Sequence, residues 1–353
     1  MNILITGVGG PTPRSIARSI KRYSNLNDTV LIGTDINSVA YGLYETELYD
    51  KTYLIPKVSE KGYWNAIKNI VEKHQITIAI VQPELEVLEW SRRMANNRLP
   101  CKVLLADAKL VELLIDKSKM SEVLAQTGLV PKSYVIDSVN PDYKTLENTL
   151  PYPFWIRATS GSSGLGSLKV LDRNALKNWI TINADVDYFI GSSFLPGRNL
   201  AVKMLYYNGK LLRTAVAERV NYIMAKVAPS GITGNTSFGR LLNEPRLVQK
   251  AIDAMEIMFE ASGAKKHGFF TADFKEDEEG KPFITEINVR NVAFNLCFAM
   301  AGANFTEDTI RILNEDKTFD YGYQMYEFEK DLIFLRDVDA EPIVMKESDL
   351  LRM

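Results

Sequence analysis

GFFTADFKEDEEGKPFITEINVRN, residues 268–291, reads as two strands joined by a short polar turn. Alternation with period two sets Phe270, Ala272 and Phe274 with Phe283, Thr285, Ile287 and Val289 on an apolar face, and Thr271, Asp273, Glu286, Asn288 and Arg290 on the other. With Glu279-Gly280 as a two-residue turn, Asp273 falls opposite Glu286. Two carboxylates with Cβ atoms about 5 Å apart repel across a bare sheet, so the pairing makes most sense with a cation between them. Hard oxygen donors with no His or Cys nearby suit Mg²⁺ better than zinc, and Mg²⁺ keeps positions open for phosphate oxygens. Arg290 adds a planar positive fork beside them. Taken alone, the hairpin leaves open a plainer alternative, a solvent-facing ribbon with scattered acids.

Working outward, 353 residues suffice for two or three domains and a large core. The 42 basic and 44 acidic residues nearly balance, which removes the electrostatic footprint expected of a nucleic-acid or anionic-membrane partner. Cys101 and Cys297 stand far apart without metal or redox spacing and read as small buried hydrophobes in a reducing compartment. With only His74 and His267, histidine-rich metal sites are excluded, and the chemistry falls to carboxylates, Lys, Arg and backbone amides. No apolar run approaches membrane-span length and the chain opens directly on a strand, so the expectation is a cytoplasmic protein with no membrane partner.

The first hundred residues alternate strand and helix signals: NILITG, SIARSIKRY, TVLIGTDI, YWNAIKNIVEKH, ITIAIVQP, LEVLEWSRRMANN and KVLLA. This order predicts a parallel, doubly wound sheet. The turn from Gly7 to Pro11 follows a strand and opens a helix, and Asp35 closes the second strand, as in a Rossmann-type half. The spacing is not the full GxGxxG, and Pro11 and Pro13 remove two amides, so a structural or small-substrate role outweighs dinucleotide binding. Glu84 and Glu86, just past a parallel strand, stand where such sheets hold ligands, or else cap the next helix.

KLVELLIDKSKMSEVLAQTG reads as one helical stretch ended by Gly128. YPFWIRA and SLKVL then flank a loop that contains Ser160, Gly161, Ser162, Ser163, Gly164 and Gly166, whose backbone amides are free to fold over phosphates. No Gly-Lys-Ser/Thr follows, so it is not a Walker loop; a plain hairpin tip is the alternative. FLPGRNLAVKMLYYNGKLLRTAVAERV reads as an antiparallel meander turning at Asn208-Gly209, and residues 244–262 as an amphipathic helix. The final EKDLIFLRDVDAEPIVMKES suggests one or two added strands.

In order, these pieces resemble the ATP-grasp superfamily, in particular ligases similar to the large subunit of carbamoyl phosphate synthase, over residues 1 to 315. GVGGPTPRSIAR, Asp35 and QPELEVLEWS look like its pre-ATP-grasp domain, and IDKSKMSEVLAQTGLVP like its signature whose lysine, here Lys117, contacts nucleotide phosphate. Arg157 takes the place of the strand-borne base that grips phosphate, and the glycine loop that of the lid. Asp273, twelve intervening residues, then Glu286, Asn288 and Arg290 match the metal triad and the anion-binding arginine.

The resemblance implies a Rossmann-like parallel sheet followed by a two-subdomain ATP-grasp fold of antiparallel sheets, α/β then α+β. The domains expected are 1–107 (pre-ATP-grasp), 108–190 (small subdomain with lid), 191–315 (large subdomain with the Mg²⁺ site) and 316–353 (a C-terminal extension). It implies ATP with two Mg²⁺ ions, Mn²⁺ being an alternative. Activation of a small-molecule carboxylate as an acyl phosphate and its transfer to an amine would follow, with Arg157 and Arg290 as catalytic residues and a homodimer left open. Ser192, Phe194, Leu195 and Asn199 fall on the adenine and ribose positions. Many relatives carry carboxylates where this chain has Ser192, Ser193 and Asn199, and a neutral amide is the weaker acceptor. In the loop from Ala225 to Asn235, Lys226 and, from the preceding strand, Arg219 are candidates to receive a substrate carboxylate. Two rival functions stay open at this point: a nucleotide-binding protein without turnover, motivated by those substitutions, and an NAD(P)-dependent dehydrogenase using the N-terminal turn.

Overall fold

The computed structural model describes residues 1–160, 166–338 and 343–346. Five short strands, β1 (Asn2–Thr6), β2 (Val30–Asp35), β3 (Lys51–Leu54), β4 (Ile78–Ile80) and β5 (Lys102–Val103), pair in parallel in the order β3-β2-β1-β4-β5. The runs of Ile, Leu and Val in β1, β2 and β4 are buried, as a parallel sheet covered by helices requires. Three helices connect them: α1 (Pro11–Tyr23), α2 (Tyr63–His74) and α3 (Glu84–Met94). Of these elements only β3, short and half-exposed, gave no readable signal.

The stretch read as one helix is two, α4 (Ala108–Ile115) and α5 (Lys117–Leu124). Asp116 breaks it: the residue is extended (φ −95°, ψ 104°), and its carboxylate accepts from the amides of Ser118 and Lys119, so it caps a new helix that begins at Lys117.

A four-stranded antiparallel sheet follows, formed by β6 (Ser133–Asp137), β7 (Phe154–Ala158), β8 (Leu168–Val170) and β9 (Tyr188–Ser193) in the order β6-β9-β7-β8. With α6 (Tyr143–Thr149) and α7 (Arg173–Ile182) it encloses its own core around Phe154, Ile156, Leu176 and Phe189.

The largest sheet takes β10 (Asn199–Tyr207), β11 (Lys210–Tyr222), β12 (Thr236–Leu242), β13 (Gly268–Glu276), β14 (Pro282–Asn288), β15 (Gln324–Met325), β16 (Leu332–Leu335) and β17 (Ile343–Lys346). Its order is β14-β13-β10-β11-β12-β16-β17, with β15 beside β11. Asn208 and Gly209 both take positive φ (48° and 89°) in the turn from β10 to β11, as expected of Asn-Gly. Helices α8 (Pro245–Ser262), α9 (Asn295–Met300) and α10 (Phe305–Leu313) complete the fold. A parallel sheet followed by two antiparallel ones is the class the sequence led us to expect. Among the described residues no helix is long and apolar enough to cross a membrane.

The β13–β14 hairpin keeps the expected pair, Asp273 opposite Glu286, by an unexpected route. The connection is not a two-residue turn: Glu276 pairs with Pro282, leaving the residues from Asp277 to Lys281 in the loop. That loop alone would put Glu286 opposite Ala272, on the wrong face. A bulge between the Asp273 and Phe274 pairs inserts Thr285 and restores the register. The apolar face is corrected accordingly, with Ile284 fully buried beside Phe274, and not Phe283 or Thr285.

Candidate active site

Asp273 sits on β13 and Glu286 on β14, both directed away from the core face that carries Phe270, Ala272 and Ile287. Asn288 joins them, its amide nitrogen 3.3 Å from Asp273 Oδ2 and 3.1 Å from Glu286 Oε1. Three cations converge on the pair. Lys117 Nζ lies 4.0 Å from Glu286 Oε2, Arg157 Nη1 3.7 Å from the same oxygen, and Arg219 Nη2 2.9 Å from Asp273 Oδ1. Arg219 approaches off the hydrogen-bond direction, so that buried oxygen has a charged neighbour but no hydrogen bond.

The two acids respond in opposite directions. Burial pushes the Asp273 carboxyl above the ordinary range; Arg219 pulls it back, and Glu286 adds to the rise. Burial works on Glu286 as well, but Lys117, Arg157 and Arg219 overcome it and hold its carboxyl below the ordinary range. Lys117 in turn is lowered by burial, as is Arg157. Arg157 also donates from Nη2 to the Thr285 carbonyl, so the bulge residue ties the small sheet to the large one.

The donor set fits Mg²⁺. A buried carboxylate, Asp273, meets a partly exposed one, Glu286, one oxygen of Asp273 lacks a hydrogen bond, and the Asn288 amide, turned over, offers its oxygen. Among the described residues no group of three His, Cys, Asp or Glu gathers, so ligand oxygens would have to complete the shell.

Other expected residues fall into three groups. Arg290 donates to Glu84 Oε1 at 3.0 Å and to the Asn291 carbonyl at 3.2 Å, which links β14's end to the head of α3. Ser192 is the penultimate residue of β9, Phe194 lies under the Lys169 ammonium at 3.9 Å, Leu195 is buried, and Asn199 opens β10 across from Arg219 and Lys275. Ser160 is exposed, and Gly166 takes a left-handed φ of 67° while its carbonyl accepts from Trp179. Gly161, Ser162, Ser163 and Gly164 lie outside the described residues. Lys226 is exposed and does not line the cavity at the paired acids, whereas Arg219 lines it and pairs with Asp273.

A cavity of about 680 Å³ runs from Asp273, Glu286 and Asn288 to the N-terminal turn and the head of α3, where Thr12, Gln82 and Glu86 line it. The sequence reading missed Gln82 and the cavity, although QPELE at the end of a parallel strand was the available signal. The two carboxylate oxygens of Asp35 accept from the amides of Gly9 (2.7 Å) and Asn37 (2.9 Å) and pin the turn.

The sequence matches no family model and no curated protein. Solved structures do share the fold. N5-carboxyaminoimidazole synthetase from Staphylococcus aureus, complexed with ADP, superposes with a TM-score of 0.71 at 14% identity, over 95% of this chain and 81% of that one. The biotin carboxylase domain dimer of Hydrogenobacter thermophilus 2-oxoglutarate carboxylase, with MgADP and bicarbonate, gives 0.69 at 15% identity over 95% and 74%. L-amino acid ligase from Bacillus licheniformis gives 0.66 at 14% over 94% and 78%. The chain has the ATP-grasp fold. Within this fold, Arg157 from the small antiparallel sheet approaches Glu286 of the large one.

Proposed function

We propose that the protein is an ATP- and Mg²⁺-dependent ligase that activates a small carboxylate and joins it to an amine, releasing ADP and phosphate. The observation that carries this reading is the convergence of Lys117 and Arg157 on the paired acids Asp273 and Glu286, at the end of one large cavity. Neighbours of the same fold are by name a synthetase, an amino acid ligase and a biotin carboxylase domain, two of them described with ADP or MgADP.

In this reading a substrate carboxylate oxygen attacks the γ-phosphorus of ATP, the bond to the β-phosphate oxygen breaks, and its electron pair leaves with ADP. The amine nitrogen then attacks the acyl carbon, the bond to phosphate breaks, and the amine gives its proton to solvent. Lys117, Arg157 and the loop from Ser160 to Gly166 hold the phosphates, and residues from Ser192 to Asn199 hold the base and ribose. Arg290 stabilises the transferring group. Asp273, Glu286 and Asn288 would hold Mg²⁺, which neutralises phosphate charge when bound.

Asp273→Asn and Glu286→Gln are each expected to cut Mg²⁺-dependent ADP release by about a hundredfold or more while the circular dichroism stays native. Full activity in either would remove the metal assignment. A second reading, nucleotide binding without turnover, draws on Arg219 beside Asp273 and on the neutral Ser192, Ser193 and Asn199. A thermal shift with MgATP but no ADP release across amino acids and small carboxylates would favour it.

A further inference from the structure

Resting on the ligase reading, we infer that the part of the cavity at the head of α3 is a subsite for a protonated primary amine of the substrate, built from Gln82 and Glu86. Gln82 lies two residues past the end of β4 and Glu86 stands in the first turn of α3; both line the cavity that reaches the paired acids.

Gln82 is 5% exposed, and its Oε1 has no hydrogen-bond partner. Its Nε2 donates to the Val81 carbonyl at 3.1 Å, which fixes the amide's sense: exchanging the two atoms would set oxygen against oxygen. Glu86 is 4% exposed. Tyr63 donates its hydroxyl to Glu86 Oε2 at 2.7 Å and is itself held by Trp90 Nε1 at 2.7 Å.

The groups that act on Glu86 are Tyr63 from α2, Thr6 from β1 and Asp35 from β2, and none is a cation. Burial pushes its carboxyl up to about 7; the Tyr63 and Thr6 hydroxyls lower it and Asp35 raises it further. Glu84, two residues earlier, is already engaged by Arg290. Glu86 has hydroxyl donors but no cation, and Gln82 Oε1, lining the same cavity, has no donor, so together they offer acceptor capacity and a charge that a ligand can meet. The complement is a group with several N–H donors and one positive charge, a primary ammonium. An anionic or hydroxyl-only ligand would leave the carboxylate uncompensated.

Binding favours the ionised carboxylate. Affinity therefore rises with pH through about 7, and below that value the ammonium displaces a proton from Glu86.

The test uses the full chain, with n-butylammonium as probe and n-butanol as its neutral counterpart. Calorimetry in two buffers of different ionisation enthalpy reads affinity and proton release together. Butylammonium is expected to bind about tenfold more tightly than butanol or better, with proton release near pH 7, and Gln82→Leu and Glu86→Gln are each expected to lose that preference. No binding of butylammonium, equal binding of the two probes, or a preference that survives both variants would overturn the subsite. If Glu86→Gln fails to fold, Gln82→Leu decides. MgATP thermal shift on the same samples separates the two readings: a shift without ammonium preference refutes the subsite alone, and preference without a shift removes the ligase reading and leaves the subsite.

Discussion

Arg219 is the cation whose place a metal would take, because its Nη2 lies 2.9 Å from the Asp273 oxygen that lacks a hydrogen bond. Arginine and divalent cation compete for one carboxylate. Arg219→Met is therefore expected to tighten Mn²⁺ binding by about tenfold, followed by the loss of the free-ion paramagnetic resonance signal. Weaker binding would mean that the arginine assists the ion. A second buried cation lies outside the cavity. Lys203 is fully buried, donates to Asn295 Oδ1 at 2.8 Å, and has the rings of Phe269, Phe294, Phe298 and Phe305 within 5.8 Å. Burial pushes it from 10.5 down to about 7. Between these values the unfolded chain binds a proton that the folded one does not, so stability rises with pH across the window and the penalty is complete below about 7. The four rings offset part of it. Lys203→Met should gain on the order of 2 kcal/mol at neutral pH and below, and the gain should shrink toward pH 10.5 in urea titrations. A pH-independent difference would refute the assignment.

At the scale of elements, two irregularities position the site. Asp116 splits a helix so that Lys117 starts a new one, and the Thr285 bulge returns Glu286 to the face of Asp273. On the other side of β13, Ala201 of β10 pairs with both Asp273 and Ala217, and these small side chains give Arg219 of β11 a low floor across which to reach the acid. The late strands β16 and β17 attach through β12, where Gly239 faces Phe334. A Cβ on Gly239 would stand 2.3 Å from the Phe334 ring and 2.5 Å from the Glu218 carbonyl, and backbone cannot yield as a side chain does. Gly239→Ala is expected to cost about 3 kcal/mol and to raise hydrogen exchange in β16 first. Uniform exchange across the large sheet would mean that β16 is integral to it.

Across the whole molecule, the parallel sheet and the large antiparallel sheet share two cores. Leu4, Trp90 and Val103 pack in one cluster with Met204, Met258 and Phe274, and Ile5, Ile16 and Ile80 in another with Phe269, Phe298 and Phe305. The small sheet keeps a separate core and meets the rest of the site through Arg157. Ligand bound between them should therefore stabilise both. MgATP at a hundred times its dissociation constant would add about 2.7 kcal/mol. Exchange protection is expected in β7 and β14 together, and protection confined to one sheet would place the nucleotide elsewhere.

Much of this architecture was legible in the chain. NILITG, TVLIGTDI and ITIAIVQP announced the parallel sheet, Asn208-Gly209 a turn of the large antiparallel sheet, and the alternation of the hairpin the pairing of Asp273 with Glu286, because periods of two and 3.6 and turn residues are carried by near neighbours in sequence. The two-residue turn, the single helix through Asp116 and the apolar place of Phe283 were misread for the complementary reason: a bulge or a cap displaces the pattern by one residue, and tertiary contacts choose where. Only packing decided that Arg157 reaches Thr285 across 128 residues, that Arg290 takes Glu84 across 206, and that Gln82 and Glu86 open on the same cavity as the acids. Local periodicity fixes which face a side chain takes. Which charges meet on that face depends on how separate sheets are laid together, and their burial then sets the chemistry.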